Sequence, residues 1–198
     1  MILYRPIKTN LVTQLFGENK SPIYKEMGML GHNGIDFACP YKEPIYWNCF
    51  DYEGEVLNHH IDSAGGIGID IIVKDPKVYK LRFWHLVKDG YMPKIGTILS
   101  TGDLIGYADN TGRSTGNHLH FGIKPQILDK NGNYKNKLAR NGYTGGIDPV
   151  PFFKNTYIMD CLDNLAGQLN YIQRAVNLIK KLLKGRNINL TKTKLCIQ

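Results

Sequence analysis

Short apolar runs that alternate with polar positions fill the chain up to residue 154, and turn signals such as Gly65-Gly66 and Asp75-Pro76 separate them. A period of two predicts half-buried β-strands, and turn dipeptides such as Asn33-Gly34 separate them. No helical periodicity is evident before Asn155. The pattern therefore predicts an all-β domain over residues 1–154. The predicted strands are Ile35–Ala38, Pro44–Tyr46, Glu53–His59, Gly68–Val73, Leu81–Leu86, Ile98–Leu99, Leu104–Ala108 and His118–Lys124.

The period changes in the C-terminal part of the chain. Apolar residues recur there at alternating intervals of four and three, which predicts an amphipathic helix over residues 155–185 with a heptad seam along one face. The heptad seam comprises Ile158, Leu162, Leu165, Leu169, Ile172, Val176, Ile179 and Leu183. Such a helix packs against its own domain, pairs with a second copy or a partner protein, or lies on a membrane surface, and the pattern leaves these alternatives open. Gly185 ends the predicted helix, and we expect residues 186–198 to form a basic, flexible tail.

The amino-acid composition is that of a folded protein with more basic than acidic side chains. The chain is 42% hydrophobic, and 25 Lys and Arg against 17 Asp and Glu give a net charge of +8. A positive balance suits a polyanionic partner, either nucleic acid or a bacterial wall that carries anionic polymers, although it is equally compatible with ordinary solvated surface. No helix-turn-helix or aromatic-basic strand motif supports nucleic-acid binding, so we expect none. No apolar run approaches the roughly 18 residues of a membrane span.

The four cysteines, Cys39, Cys49, Cys161 and Cys196, form no Cys-x-x-Cys pair, which argues against a thiolate zinc site. Cys39 and Cys49 lie in neighbouring predicted strands, where pairing is possible. Because the N-terminus shows no export signal, we expect free and mostly buried thiols instead.

Four of the six histidines occur in three short segments that carry the candidate chemistry. The first holds His32 and Asp36, the second His85, and the third His118 and His120. Imidazole together with one carboxylate is the ligand set that zinc takes when one coordination position stays open for water. An open position of this kind indicates hydrolysis more often than a purely structural role.

Local geometry is compatible with one shared site. In an extended strand His32 and Asp36 would lie about 13 Å apart, so Asn33-Gly34 must bend the chain if both are to reach one metal. His118 and His120 alternate with apolar residues and therefore share one strand face, about 6.6 Å apart. One of these two can bind the metal while the other faces water or substrate. The Lys124–Gly146 segment is long, polar and rich in turns, and we expect a loop beside the site there, whereas His59 and His60 are expected at a solvent-facing strand end.

These segments resemble the lysostaphin-type zinc endopeptidases that degrade bacterial cell walls. The resemblance covers roughly residues 5–153 and rests on motifs that occur in the family's order. They are Gln14-Leu15-Phe16-Gly17, Gly31-His32-Asn33-Gly34-Ile35-Asp36-Phe37, Gly65-Gly66-Ile67-Gly68, Trp84-His85-Leu86, Gly102-Asp103-Leu104-Ile105-Gly106, Thr111-Gly112-Arg113-Ser114-Thr115-Gly116, Asn117-His118-Leu119-His120-Phe121 and Ile147-Asp148-Pro149.

The resemblance implies an antiparallel β-sandwich with one zinc ion in a groove. It also implies that His32, Asp36 and His120 are the zinc ligands and that His85 and His118 are the catalytic pair. The expected substrate is peptidoglycan, cleaved in a glycine-containing cross-bridge or in a D-amino-acid stem peptide. The alternative is a virion or cell-wall structural and binding protein that uses the same fold as an anchor.

We expect the protein to act outside the cytoplasm, at the wall. Because no signal peptide is visible, delivery on a phage virion or release through a membrane lesion is one possible route. The heptad helix over residues 158–183 is the candidate surface for a homo-oligomer or a partner protein.

Overall fold

The computed structural model describes residues 1–185 and consists mainly of β-strands. In chain order the elements are β1 Leu3–Arg5, β2 Val12–Gln14, α1 Ile23–Glu26, β3 Ile35–Ala38, β4 Pro44–Tyr46, β5 Gly54–Asp62, β6 Gly66–Asp75, β7 Lys77–Trp84, β8 Ile98–Leu99, β9 Leu104–Tyr107, β10 His118–Leu128, β11 Tyr134–Asn136, a 3₁₀ turn at Val150–Phe152, β12 Phe153–Tyr157 and α2 Ile158–Gly185.

A large antiparallel sheet positions the candidate site. Its strands run in the order β2-β3-β10-β7-β6-β5-β8, and β11 pairs with the far end of β10. Two small sheets, antiparallel β4–β9 and parallel β1–β12, complete the domain. In the centre of the large sheet His120 lies opposite Asp36 on one neighbouring strand and opposite Trp84 on the other. The predicted all-β fold with antiparallel sheets is therefore confirmed.

Strand β10 shows how the sequence separates core from site. Leu119, Phe121 and Ile123 are fully buried and join the hydrophobic core. Because side chains alternate across a strand, His118 and His120 leave the opposite face. The apolar alternation that fixes this strand against the core therefore also aims both imidazoles at the site.

The structure adds detail to the predicted elements. The single-turn helix α1 and the 3₁₀ turn at Val150–Phe152 both precede Asn155, within the otherwise β-stranded domain. A single turn is too short to produce a helical period in the sequence. The predicted strands are present, but the long ones extend further, since β10 continues to Leu128 where β11 pairs with it.

The chain divides into two compact units, residues 1–158 and the unit that begins at Met159. Tyr157 and Ile158, the last residues of the first unit, are buried, and the predicted boundary after residue 154 stays a prediction. Helix α2 ends at Gly185. Within residues 1–185, no helix combines the length and the apolar character that crossing a membrane requires. The predicted basic tail, residues 186–198, lies outside the described residues.

Cys39, Cys49 and Cys161 are free thiols. Burial raises the pKa of Cys39 to about 12 and that of Cys49 to about 11, so neither thiol is a ready thiolate at neutral pH. Cys196 lies outside the described residues.

Candidate active site

His32, Asp36 and His120 converge at the centre of the large sheet. His32 Nε2 lies 2.9 Å from His120 Nδ1 and 3.1 Å from Asp36 Oδ1, and His120 Nδ1 lies 3.0 Å from the same carboxylate oxygen. All three side chains are buried. Two imidazoles and a carboxylate thus point one donor atom each at a common point.

This cluster fits a zinc ion. Tetrahedral zinc with bonds of about 2.0–2.2 Å keeps its ligand atoms roughly 3.3 Å apart, close to the separations observed here. His32 Nδ1 donates to the carbonyl oxygen of Leu15 (3.2 Å), which leaves Nε2 as the nitrogen with a free lone pair.

Electrostatics favour the protonation states that a metal requires. Burial lowers the pKa of His120 to about 4, although Asp36 opposes this, so the imidazole is neutral at pH 7. Burial alone would raise the pKa of Asp36, but the contacts with the imidazoles of His120 and His32 outweigh burial and hold that pKa well below the usual range. A neutral imidazole and an ionised carboxylate are both ready to bind a cation.

The turn at Asn33-Gly34 brings His32 and Asp36 together, as its sequence predicts. A Cβ added at Gly34 would come within 2.4 Å of the Phe121 carbonyl oxygen and 2.7 Å of the His120 ring. Only glycine leaves room here for His120 to pack against the turn.

His85 and His118 lie side by side next to the cluster. Their ring centroids are 4.3 Å apart, and His118 Nε2 lies 3.8 Å from Asp36 Oδ2. His85 directly follows β7 with a left-handed φ of 63°, which turns it out of the strand direction. Burial, followed by the nearby His118, lowers the pKa of His85 and favours its neutral form.

Both of these rings are fixed through Nδ1. His85 Nδ1 donates to the Thr111 carbonyl oxygen (2.6 Å), and His118 Nδ1 donates to the Gly116 carbonyl oxygen (2.9 Å). An imidazole that carries its one proton on Nδ1 keeps an Nε2 lone pair that can accept a proton from a reactant.

A groove of about 720 Å³ contains all five residues. The segment 21–29, which includes α1, forms one wall, and residues 113–115 belong to another. Arg113 and Glu26 join these two walls through an exposed ion pair of 3.0 Å. The volume of the groove leaves room for a short extended peptide beside the five residues.

The structure adds groove residues that the sequence analysis missed: Tyr24, Arg82 and Lys124. Tyr24 lies 6.1 Å from His32 between ring centroids, and burial together with Asp36 raises its pKa to about 12, which keeps its hydroxyl protonated. No sequence signal marked Tyr24, because it lies in the unpredicted turn α1. Lys124 did carry a signal, because it continues the alternation of His118 and His120 along β10.

His60 also departs from expectation. It lies within β5 and not at a solvent-facing strand end, and it is half-buried. Its Nε2 donates to Asp70 (2.8 Å), and its ring stacks on Trp84 at 5.7 Å. His59 is exposed, as expected, and its Nε2 donates to the Pro93 carbonyl oxygen.

Comparison with known proteins defines the class. The chain matches peptidase family M23 over residues 30–136, more than half of its length, and it belongs to that family. Members of the family are zinc-dependent peptidases, so the resemblance to lysostaphin-type enzymes is confirmed.

Two relatives within this family show how similar the sequences are and how much of each protein is matched. The chain is 38% identical to the peptidoglycan DD-endopeptidase ShyB of Vibrio cholerae over 92 residues, which are 46% of this chain and 20% of that protein. It is 26% identical to lysostaphin of Staphylococcus simulans over 140 residues, 71% of this chain and 24% of lysostaphin. The matched stretch is thus about a fifth to a quarter of the length of these relatives.

Among solved structures, the chain resembles a zinc-containing peptidase from Vibrio cholerae. The two share 29% sequence identity and a TM-score of 0.51, over 63% of this chain and 37% of that one. The similarity supports the same catalytic fold in both proteins.

Proposed function

We propose that this protein is a zinc-dependent endopeptidase that hydrolyses peptide bonds in bacterial peptidoglycan. The observation that carries the proposal is the convergence of five side chains, three that can bind a metal and two that can move protons, in one groove. The names of the relatives, a peptidoglycan DD-endopeptidase and lysostaphin, point to the same substrate.

We assign His32, Asp36 and His120 as the zinc ligands. A zinc ion bound there would polarise a peptide carbonyl and lower the pKa of a water molecule towards neutrality. The three donor atoms lie within 4.8 Å of one another and all three residues line the groove, which gives an open coordination position access to water and substrate.

We assign His85 and His118 to proton transfer. Each holds a proton on Nδ1 through a backbone carbonyl and presents Nε2. One Nε2 accepts the proton of the attacking water, and the same proton is then available to the departing amine. The second imidazole, when protonated, donates a hydrogen bond to the oxyanion of the tetrahedral intermediate.

The alternative of a purely structural or binding protein is not favoured. An anchor requires neither two imidazoles beside a metal cluster nor an open groove over them. The family match, which is to peptidases, points the same way. We place the action of the protein at the bacterial wall, and the route by which it gets there, phage-borne or otherwise, stays a prediction.

Purified cell walls provide the test. The zinc-loaded protein is expected to reduce their turbidity and to release new amino groups without new reducing sugar ends. A chelator should stop the release, and added zinc should restore it. Release of reducing ends, or lysis that survives removal of the metal, would contradict the proposal.

A further inference from the structure

A second charged cluster lies on the groove side of the large sheet. Lys124 follows His120 by four positions on β10, so both side chains leave the same face about 13 Å apart along the strand. Gly122 lies between them, so no side chain rises from β10 in the interval. Both Lys124 and His120 line the groove. The candidate metal site and Lys124 are therefore two points along one peptide-sized path.

Lys124 is a buried cation without an acidic partner. The residue is only 4% exposed, and its Nζ donates to the backbone oxygen and the hydroxyl of Thr144 at 2.8 and 3.1 Å. Both acceptors are neutral. Within residues 1–185, no carboxylate forms an ion pair with Lys124. Burying an ammonium group without a counter-charge costs free energy of folding. Stability therefore does not explain a lysine at this position.

The neighbouring charges leave an excess of positive charge. Arg82 and Lys80 on β7 face the same region, and the nearby acid, Asp70, is fully buried. Asp70 already accepts from His60 (2.8 Å) and Arg82 (2.9 Å) and pairs with Lys80 (3.4 Å). Three basic side chains thus share a single carboxylate. Burial, followed by the nearby Arg82 and Lys80, lowers the pKa of Lys124 to about 7, and an anion beside it would restore its full charge.

We propose that Lys124 and Arg82 form a subsite for a free carboxylate of the peptide substrate, about three to four extended residues from the cleaved bond. This inference rests on the proposed function and narrows it. Stem peptides carry carboxylates on D-glutamate and at their C-terminus, whereas the interior of an oligoglycine cross-bridge carries none. The groove is thereby suited to stem peptides over glycine bridges.

Direct binding tests the subsite separately from catalysis. The probe is the uncross-linked tetrapeptide L-alanyl-γ-D-glutamyl-L-lysyl-D-alanine, titrated by calorimetry into the zinc-loaded full chain. Two further probes replace either the D-glutamate carboxylate or the C-terminal carboxylate by a carboxamide. We expect one of the two amides to bind about 10- to 100-fold more weakly than the acid, the usual effect of losing a charged hydrogen bond. The amide that weakens binding identifies which carboxylate occupies the subsite.

The matched variant is Lys124→Gln, which keeps a hydrogen-bond donor for Thr144 and removes the charge. It is expected to lose the preference for the acid over the amide, and Lys124→Met serves the same purpose if the glutamine variant does not fold. The control is Lys74→Met, since Lys74 is exposed on β6 and pairs with Glu55 instead. This control should keep the preference. A Lys124→Gln protein that folds and still prefers the acid would overturn the proposal.

The outcomes separate the subsite from the proposed function. If the wild-type chain cleaves wall peptides but binds the acid and both amides equally, the subsite is wrong and the peptidase assignment stands. If the acid preference depends on Lys124 but no wall peptide is cleaved, the subsite stands and the assignment of activity is wrong.

Discussion

Asp36 connects the two halves of the candidate site. Its Oδ1 lies beside His32 and His120, while its Oδ2 faces His118 at 3.8 Å. A single carboxylate therefore touches both proposed ligands and one proposed proton carrier. Replacing it should disturb metal binding and proton transfer together, whereas changes to the imidazoles should separate the two.

Alanine substitutions of the imidazoles should fall into two classes. His32→Ala and His120→Ala remove one of three metal ligands, so we expect them to lose zinc and activity together. His85→Ala and His118→Ala should keep zinc and the fold but lose at least ~100-fold in rate, the usual size of a general acid–base contribution. Metal content and peptide cleavage are measured on each variant, with His59→Ala as the control. Full zinc occupancy in His120→Ala would show that the ligand assignment is wrong.

The turn before β3 allows a sharper test of packing. Gly34→Ala places a methyl group against the His120 ring and the Phe121 carbonyl oxygen, so zinc affinity and stability should both fall, the latter by about 1–3 kcal/mol. Gly122→Ala is the control, because its nearest contact would be an ordinary 3.5 Å. Thermal unfolding and metal titration are compared for the two variants. Equal behaviour of both would contradict the packing argument.

Lys124 should cost stability in a pH-dependent way. Its pKa falls to about 7 on folding, because of burial and then of Arg82 and Lys80, whereas Asp70 opposes the shift. Between about pH 7 and its unfolded pKa of about 10.4, the unfolded chain therefore holds more protons, and the contribution of Lys124 to stability rises with pH.

Lys124→Met removes this penalty. We expect it to stabilise the fold by on the order of 1 kcal/mol at pH 6, where the wild-type ammonium is buried and charged, and by less at pH 9. Losing the bonds to Thr144 offsets part of the gain. Urea unfolding at both pH values measures the difference. A variant that is less stable than wild type at pH 6 would mean that the ammonium is structurally favourable.

At the scale of elements, the loop from Asp109 to Asn117 fixes the proton carriers. Thr111 accepts from His85 through its carbonyl oxygen, and its hydroxyl donates to the Leu86 carbonyl oxygen and accepts from the Ile67 N–H. One threonine thus ties this loop to β6 and to the end of β7.

Thr111→Val should loosen that attachment without touching the metal. We expect zinc to be retained, stability to fall by about 1–2 kcal/mol and the rate to fall by roughly tenfold, because two hydrogen bonds that position the His85 anchor are lost. Thr97→Val, in the turn before β8, is the control. Cleavage of a fluorogenic peptide and chemical unfolding give the two quantities. An unchanged rate would show that the His85 ring does not depend on this loop.

Elements differ in how far the sequence predicts them. In β10 the apolar alternation predicts both the strand and the face on which His118 and His120 lie, whereas the ligand set of His32, Asp36 and His120 follows only from the resemblance to lysostaphin-type enzymes. Lys124 could have been found from the same alternation, whereas the charged side chains around it could not. Asp70, Arg82 and Lys80 meet only through the register of β6 with β7. Single-turn α1, which carries one groove wall, leaves no periodic trace.

At the scale of the whole molecule, the heptad seam of α2 is the feature that catalysis does not explain. Its described side chains are largely exposed: Leu169 is 66% and Ile172 is 56% exposed. An apolar stripe of this length is costly in water unless something covers it. The heptad seam has two alternating core positions, a and d. Position a is mostly leucine and position d is mostly isoleucine. In the heptad assignment Leu162 and Leu169 take position a, while Ile172 and Ile179 take position d, a combination that favours more than two strands.

Truncation decides what covers the seam. A chain that ends after Met159 keeps β12, Ile158 and all five site residues, so we expect it to fold, to bind zinc and to cleave small soluble peptides at the full-length rate. Light scattering should give a monomer for this chain and a mass above that of a dimer for the full-length protein. In the full-length protein Leu169→Asp, which places a charge in the seam, should restore the monomer, whereas Arg174→Asp on the opposite face should not. A monomeric full-length protein whose β-domain loses stability on truncation would instead mean that the seam is covered within the chain. A monomeric protein with unchanged stability would mean that a different partner covers it.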